Sequence, residues 1–191
     1  ELLQAAGLVH YEVASYARDG AVAQHNLGYW RWRDYLGLGP SAASARYDDD
    51  GSVLRRTNAR GLERWAADPG GHAGGPAGGP GGGHGTATEE RLAAEVAAAE
   101  GLWLGLRALQ GVDVGELLGR FPAVDEAWLR DRAAASLARG NLEWAPDGRL
   151  RVAPGRWLWH DEIGATLLDP GPDEHDRADP TPPPTPPPTP P

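Results

Sequence analysis

The chain has 191 residues, 27 acidic against 18 basic side chains and a formal net charge of -9, a balance that excludes the concentrated basic surface a nucleic-acid binder needs. It contains no cysteine, which excludes a disulfide framework, a thiolate zinc site and a cysteine-held iron–sulfur cluster within these residues. No apolar run reaches the length of a membrane span and no charged-then-apolar leader opens the chain, so a cytoplasmic protein without an integral membrane span is the expectation.

The sequence contains no Met, and Glu1 to Gly7 reads as the last turns of a helix already under way, so the chain is taken as part of a longer protein. Gly7 suits the helix stop. Val9, Tyr11 and Val13 alternate within Leu8–Val13, a short strand signal. Tyr16 to Asn26 is polar and irregular, with a turn at Asp19-Gly20. Tyr35-Leu36-Gly37-Leu38-Gly39-Pro40 reads as a buried strand in which glycine permits close approach. Ser44–Tyr47 and Val53–Arg56, joined by an Asp-Asp-Asp-Gly turn, predict a hairpin, and Ala59 to Ala67 a short helix.

Residues 69 to 87 are almost all Gly, Pro, Ala and His. So little can be buried there that a disordered loop is expected. It is no phosphate-binding loop, because the chain has no Lys. His72 and His84 lie inside it and are read as exposed loop histidines in preference to a metal pair. Thr86-Ala87-Thr88-Glu89 has the form of a capping box, predicting a helix from about Thr88 to Ala108 with Leu92, Val96, Ala99, Trp103 and Leu106 on one face. Asp113 caps a short helix ended by Phe121-Pro122, and Val124 to Arg139 forms another, closed by Gly140. Leu142–Ala145 and Arg149–Val152 flank the Pro146-Asp147-Gly148 turn, and a last helix runs from about Gly155 to Leu168. Three helices, a two-stranded wing and a closing helix make a winged-helix-like order. The acidic balance and the apolar Trp157-Leu158-Trp159 argue against its use on DNA. From Asp169 the chain is acidic and then rich in Thr-Pro-Pro-Pro, a tail of polyproline or disordered character.

Several segments, in order, carry a resemblance. Tyr11-Glu12-Val13-Ala14-Ser15-Tyr16-Ala17-Arg18 is followed by His25-Asn26-Leu27-Gly28-Tyr29-Trp30, which fits the pattern HNxxYW at every fixed position. Then come Tyr35 to Pro40, Glu100-Gly101-Leu102-Trp103-Leu104-Gly105-Leu106-Arg107, Gly111-Val112-Asp113, and Asn141-Leu142-Glu143 through Arg149-Leu150-Arg151-Val152. Together they resemble the C-terminal half of HemW-type haem chaperones and of the oxygen-independent coproporphyrinogen III oxidases, a radical-SAM family. Two departures stand out. Ala14-Ser15 replaces the family's Ser-Asn, and Ala43 stands where the family motif has histidine.

The resemblance implies an α+β fold, with residues 1–58 as the edge of a partial (β/α) barrel, 59–68 as a short helix and 88–168 as a mainly helical, winged-helix-like domain, while the loop over 69–87 and the tail over 169–191 look like additions to the family. It implies a haem-binding chaperone that delivers haem to acceptor proteins. The runner-up is a coproporphyrinogen III oxidase of porphyrin biosynthesis. In the complete protein it implies a 4Fe-4S cluster and S-adenosylmethionine, whose cysteine ligands this chain lacks. Monomer and homodimer are both compatible with it.

The residues bear on haem directly. A neutral imidazole is a good axial ligand, so His25 is the candidate for haem iron, with Asn26 orienting it and Tyr29 and Trp30 against the macrocycle. The plainer alternative has His25 and Asn26 satisfying backbone groups in a loop while Tyr29 and Trp30 fill core. Trp30 and Trp32 are not both expected inside. Arg55-Arg56 suits porphyrin propionates or an ordinary salt-bridged hairpin. His10 is read as structural and His160 as solvated. Trp103, Trp128, Trp144, Trp157 and Trp159 are read as core of the C-terminal domain.

Overall fold

The computed structural model describes residues 2–18, 20–66 and 86–168. The expectations for Asp19, for the glycine-rich loop up to residue 85 with His72 and His84, and for the tail from Asp169 lie outside the described residues. Helix α1 (Leu2–Ala5) ends at Gly7, whose φ of 75° is the left-handed stop that glycine adopts freely. Strands β1 (Val9–Glu12) and β2 (Ser15–Ala17) form a small antiparallel hairpin with a bulge before Glu12. Helix α2 (Gln24–Trp30) comes next. The second sheet has the order β3-β4-β5, from Ala43–Tyr47, Val53–Asn58 and Thr86–Leu92, all antiparallel. A short helix α3 (Leu62–Ala66) lies between β4 and β5 in the chain. The remainder is α4 (Ala94–Gly105), α5 (Val114–Arg120), α6 (Glu126–Ala138), the hairpin of β6 (Leu142–Trp144) and β7 (Leu150–Val152), a single 3-10 turn (Trp157–Trp159) and α7 (His160–Leu168).

Side chains cap two of the helices, Asp113 as expected and Asp125 in addition. The Asp113 carboxylate accepts from the Glu116 amide at 3.0 Å, and Asp125 from the Trp128 amide at 2.8 Å, each satisfying an orphan donor of the first turn. Thr86–Glu89 is different. Instead of opening a helix, Thr86–Leu92 pairs with β4, and α4 begins only at Ala94 with no side-chain cap. The reason lies across the sheet. Arg56 faces Glu89 and Arg55 faces Glu90 in the register, with Arg56 Nε 2.7 Å from the Glu89 carboxylate. Cross-strand charge pairs and two threonines favour the extended form.

Other expectations are corrected by similar long-range contacts. Tyr35 to Pro40 is not a buried strand: only Tyr35 pairs, with Ala45, while Leu36 and Leu38 are 61% and 75% exposed. The Asn58 amide donates to the carbonyls of Gly37 and Gly39, taking the place of a ladder, and Gly37 lies so close to the Ala43 backbone that a side chain there would collide. The segment expected to be irregular as far as Asn26 holds β2 and the start of α2. His160 is buried, not solvated, and Trp159 is exposed instead of core.

One cluster of buried residues runs through the molecule, joining Trp32, Ala45 and Val53 to Leu102, Phe121, Leu129, Leu150 and Ile163. Phe121 sits at its centre, fully buried, with its ring edge-on to Trp32 at 5.6 Å and to Tyr47 at 6.2 Å. Gly101 makes room for it: a Cβ there would lie 2.5 Å from the Phe121 ring. No helix among the described residues is long and apolar enough to cross a membrane.

Candidate functional site

The seven residues of α2 carry the whole HNxxYW motif, so it lies on a helix and not on the loop that sequence reasoning expects. On a helix, residues four apart share a face and side chains lean toward the N-terminus. Tyr29 therefore reaches back to His25, its hydroxyl 2.6 Å from His25 Nε2 and its ring edge-on to the imidazole at 4.7 Å. Tyr29 is held from its other side by Tyr35, also edge-on, at 4.6 Å. Among the described residues the hydrogen-bond partner of the imidazole is thus Tyr29, not Asn26.

The helix is anchored by the residues just beyond its C-terminal end. Trp32 takes φ 53°, a turn that brings its indole into the core, where Nε1 donates to the Gly101 carbonyl at 2.7 Å. Trp30 is half-buried beneath Arg107, whose guanidinium lies 4.5 Å from the ring centroid. Both tryptophans therefore pack inward, against the expectation that one is at the surface. Arg107 also faces the buried Glu12, with Nη2 3.6 Å from Oε2. Three polar atoms here, Glu12 Oε2, Arg107 Nε and Trp30 Nε1, are buried without a hydrogen-bond partner. Sequence reasoning gives Arg107 no role, although it ends one of the matching motifs.

His25, Tyr29 and Trp30 line a cleft of about 540 Å3 together with Tyr35, Ala43, Tyr47, Arg55 and Leu104 of α4. The volume lies within the range of small-molecule sites. The sheet register explains which residues enter: Ala43, Ala45, Tyr47 and Arg55 share one face of β3 and β4, while Arg56 belongs to the other and pairs with Glu89. The two arginines weighed together as propionate partners are thus separated. Arg55 is ion-paired with Glu100 and lies 4.0 Å from Glu90. Burial pushes the Tyr47 phenol up to about 12, reinforced by Tyr35 nearby, and burial raises Tyr35 as well. Both remain neutral hydroxyl groups at physiological pH.

The arrangement offers one imidazole, three phenols and an indole around an open slot, with a single guanidinium already neutralised. It suits a flat apolar ligand with a ligatable centre. Among the described residues no group of three or more His, Cys, Asp or Glu is placed to hold a bare metal ion. Ala43, where the motif would have histidine, faces this cleft, so the imidazole lost there is lost from the same site.

No family model matches the chain. It is similar to the "Heme chaperone HemW" of Escherichia coli, with 47% identity over 60 residues, 31% of this chain and 16% of that protein. Against the HemW of Mycobacterium tuberculosis the identity is 33% over 168 residues, 87% of this chain and 36% of that protein. The chain therefore spans about a third or less of the length of these relatives. In fold it is similar to coproporphyrinogen III oxidase (HemN) of Escherichia coli, a radical SAM enzyme, with a TM-score of 0.56, 14% identity and coverage of 87% of this chain and 38% of that one. In agreement with the motifs, the chain is of the HemW type in sequence, and the solved neighbour adds a shared fold.

Proposed function

Because the chain is related in sequence to HemW haem chaperones over most of its length, we propose that it supplies the haem-holding part of such a chaperone, which passes haem to acceptor proteins. The observation that carries this reading is that His25, Tyr29 and Trp30 line one cleft together with Tyr35 and Tyr47. In it haem is cargo. His25 gives the iron an axial nitrogen, Tyr29 and Trp30 line the macrocycle, and Asn26 flanks the ligand on the same helix. An open slot with one imidazole ligand fits a carrier that must give its cargo up.

The finer architecture belongs to the same proposal. Residues up to 58 are read as the edge of a partial barrel, and 88–168 as a winged-helix-like unit in which β6 and β7 are the wing. A cytoplasmic location belongs to the same proposal. The 4Fe-4S cluster and S-adenosylmethionine of a radical-SAM parent do not fit the residues present, since no thiolate exists to hold a cluster. No radical step is assigned to this chain. The oxidase reading rests on the fold neighbour at 14% identity, while the sequence relatives favour the chaperone.

Haem titrated into the purified chain tests the proposal. Binding should shift the Soret band, and His25→Ala should abolish that shift. Tyr29→Ala or Trp30→Ala should weaken binding less, by about 1 kcal/mol per lost aromatic contact beyond buried area. An unchanged spectrum and affinity in His25→Ala would overturn it.

A further inference from the structure

We infer that Tyr29 positions His25 to ligate iron through Nδ1, by accepting the Nε2 proton in a hydrogen bond and leaving Nδ1 as the open nitrogen. This rests on the haem reading of the same cleft and extends it by naming the ligating atom and the residue that selects it.

The Tyr29 hydroxyl and His25 Nε2 are in contact at 2.6 Å. A phenol oxygen both donates and accepts, and a neutral imidazole carries its proton on one nitrogen only. If Tyr29 donates to Nε2, that nitrogen's lone pair is used and Nδ1 carries the proton, so neither nitrogen is free for a metal. If Nε2–H donates to Tyr29, the Nδ1 lone pair is free. With the contact in place, only the second arrangement makes His25 a ligand. It is also the usual one in metalloproteins, where the ring nitrogen away from the metal donates to an oxygen that sets tautomer and ring orientation.

Tyr29 is suited to that duty because it is wedged. Its ring is edge-on to His25 on one side and to Tyr35 on the other, at 4.7 and 4.6 Å.

The test uses the full chain labelled with nitrogen-15. Without haem, the His25 ring should show a protonated Nε2 and a bare Nδ1, and Tyr29→Phe should introduce the other tautomer. With ferric haem as the probe, Tyr29→Phe should lower affinity roughly ten- to a hundredfold, the range for loss of such an outer partner. A protonated Nδ1 in the free chain, or a Tyr29→Phe variant that binds haem as tightly or more tightly, would overturn the inference. The second result would show that Tyr29 competes with iron for Nε2. Failure of the haem reading looks different: His25→Ala then binds haem unchanged, while the tautomer measurement still decides what Tyr29 does to His25.

Discussion

The Trp103 indole N–H donates to Nδ1 of His160 at 3.2 Å, and His160 Nε2 in turn bonds the Trp103 carbonyl oxygen at 3.1 Å. Both bonds are made by one neutral tautomer, with the proton on Nε2. They tie α4 to α7 inside the core, where His160 is 2% exposed. Burial, and after it the Arg107 charge, holds the imidazole below its usual range, although the Trp103 carbonyl and Asp161 act the other way.

Stability should therefore fall on mild acidification. A histidine with a depressed folded pKa takes up its proton first in the unfolded chain, so its contribution is complete above the ordinary value near 6.5 and is lost as pH drops below it. Denaturant melts at pH 7.5 and 5.5 should show the loss, and His160→Gln should flatten it. An equal pH slope in the variant would assign the effect to another group.

Helix α7 approaches α4 at Gly164, where an added Cβ would stand 2.6 Å from Trp103 Cδ1. Gly164→Ala should cost about 1–3 kcal/mol, the range for overpacking, despite alanine's better helix propensity. Thermal unfolding of the variant reads this directly. A variant as stable as the parent would mean that Trp103 yields without penalty.

Of the five tyrosines, Tyr47 is pushed up to about 12 by burial. Spectrophotometric titration should show Tyr47 as the last phenol to ionise, after Tyr35, which burial also raises above the ordinary range near 10. Tyr47→Phe should remove that late step, and its persistence would assign the step elsewhere.

Reconstitution with iron and sulfide under reducing conditions should leave this chain colourless, because no cysteine is present to bind a cluster. A stable, redox-active iron–sulfur chromophore would contradict it.

Arg107 and Trp30 provide a test of the site's support. The guanidinium stacked on the indole at 4.5 Å also faces the buried Glu12. Arg107→Ala takes the counter-charge from the buried Glu12, which keeps only the Ala14 amide on its other oxygen, and breaking a buried pair typically costs about 3–5 kcal/mol. Glu12→Gln with Arg107→Met, which removes both charges, should recover most of that loss in denaturant melts. No recovery would show that stacking on Trp30, not charge, is what Arg107 contributes.

By itself the sequence determined what depends on neighbours along the chain. Asp113 and Asp125 cap their helices through bonds to amides three residues on, and Gly7 and Gly140 stop helices by their own φ. The β3–β4 and β6–β7 hairpins arise from their turns and alternation. His25, Tyr29 and Trp30 were legible as a set through the HNxxYW pattern, but not the contact between His25 and Tyr29, because the helix that makes it was read as a loop.

Tertiary structure alone decided the rest. Thr86–Glu89 satisfies the pattern of a cap and of a strand equally, and only Arg55 and Arg56 across the sheet select the strand. His160 looks solvated beside Asp161 and Glu162, until Trp103 supplies both partners its ring needs. Arg55 and Arg56 are adjacent in sequence, but the two-residue period of a strand sends one into the cleft and the other to the opposite face. In each case the local energies of the alternatives differ little, and the contact that breaks the tie comes from residues far along the chain.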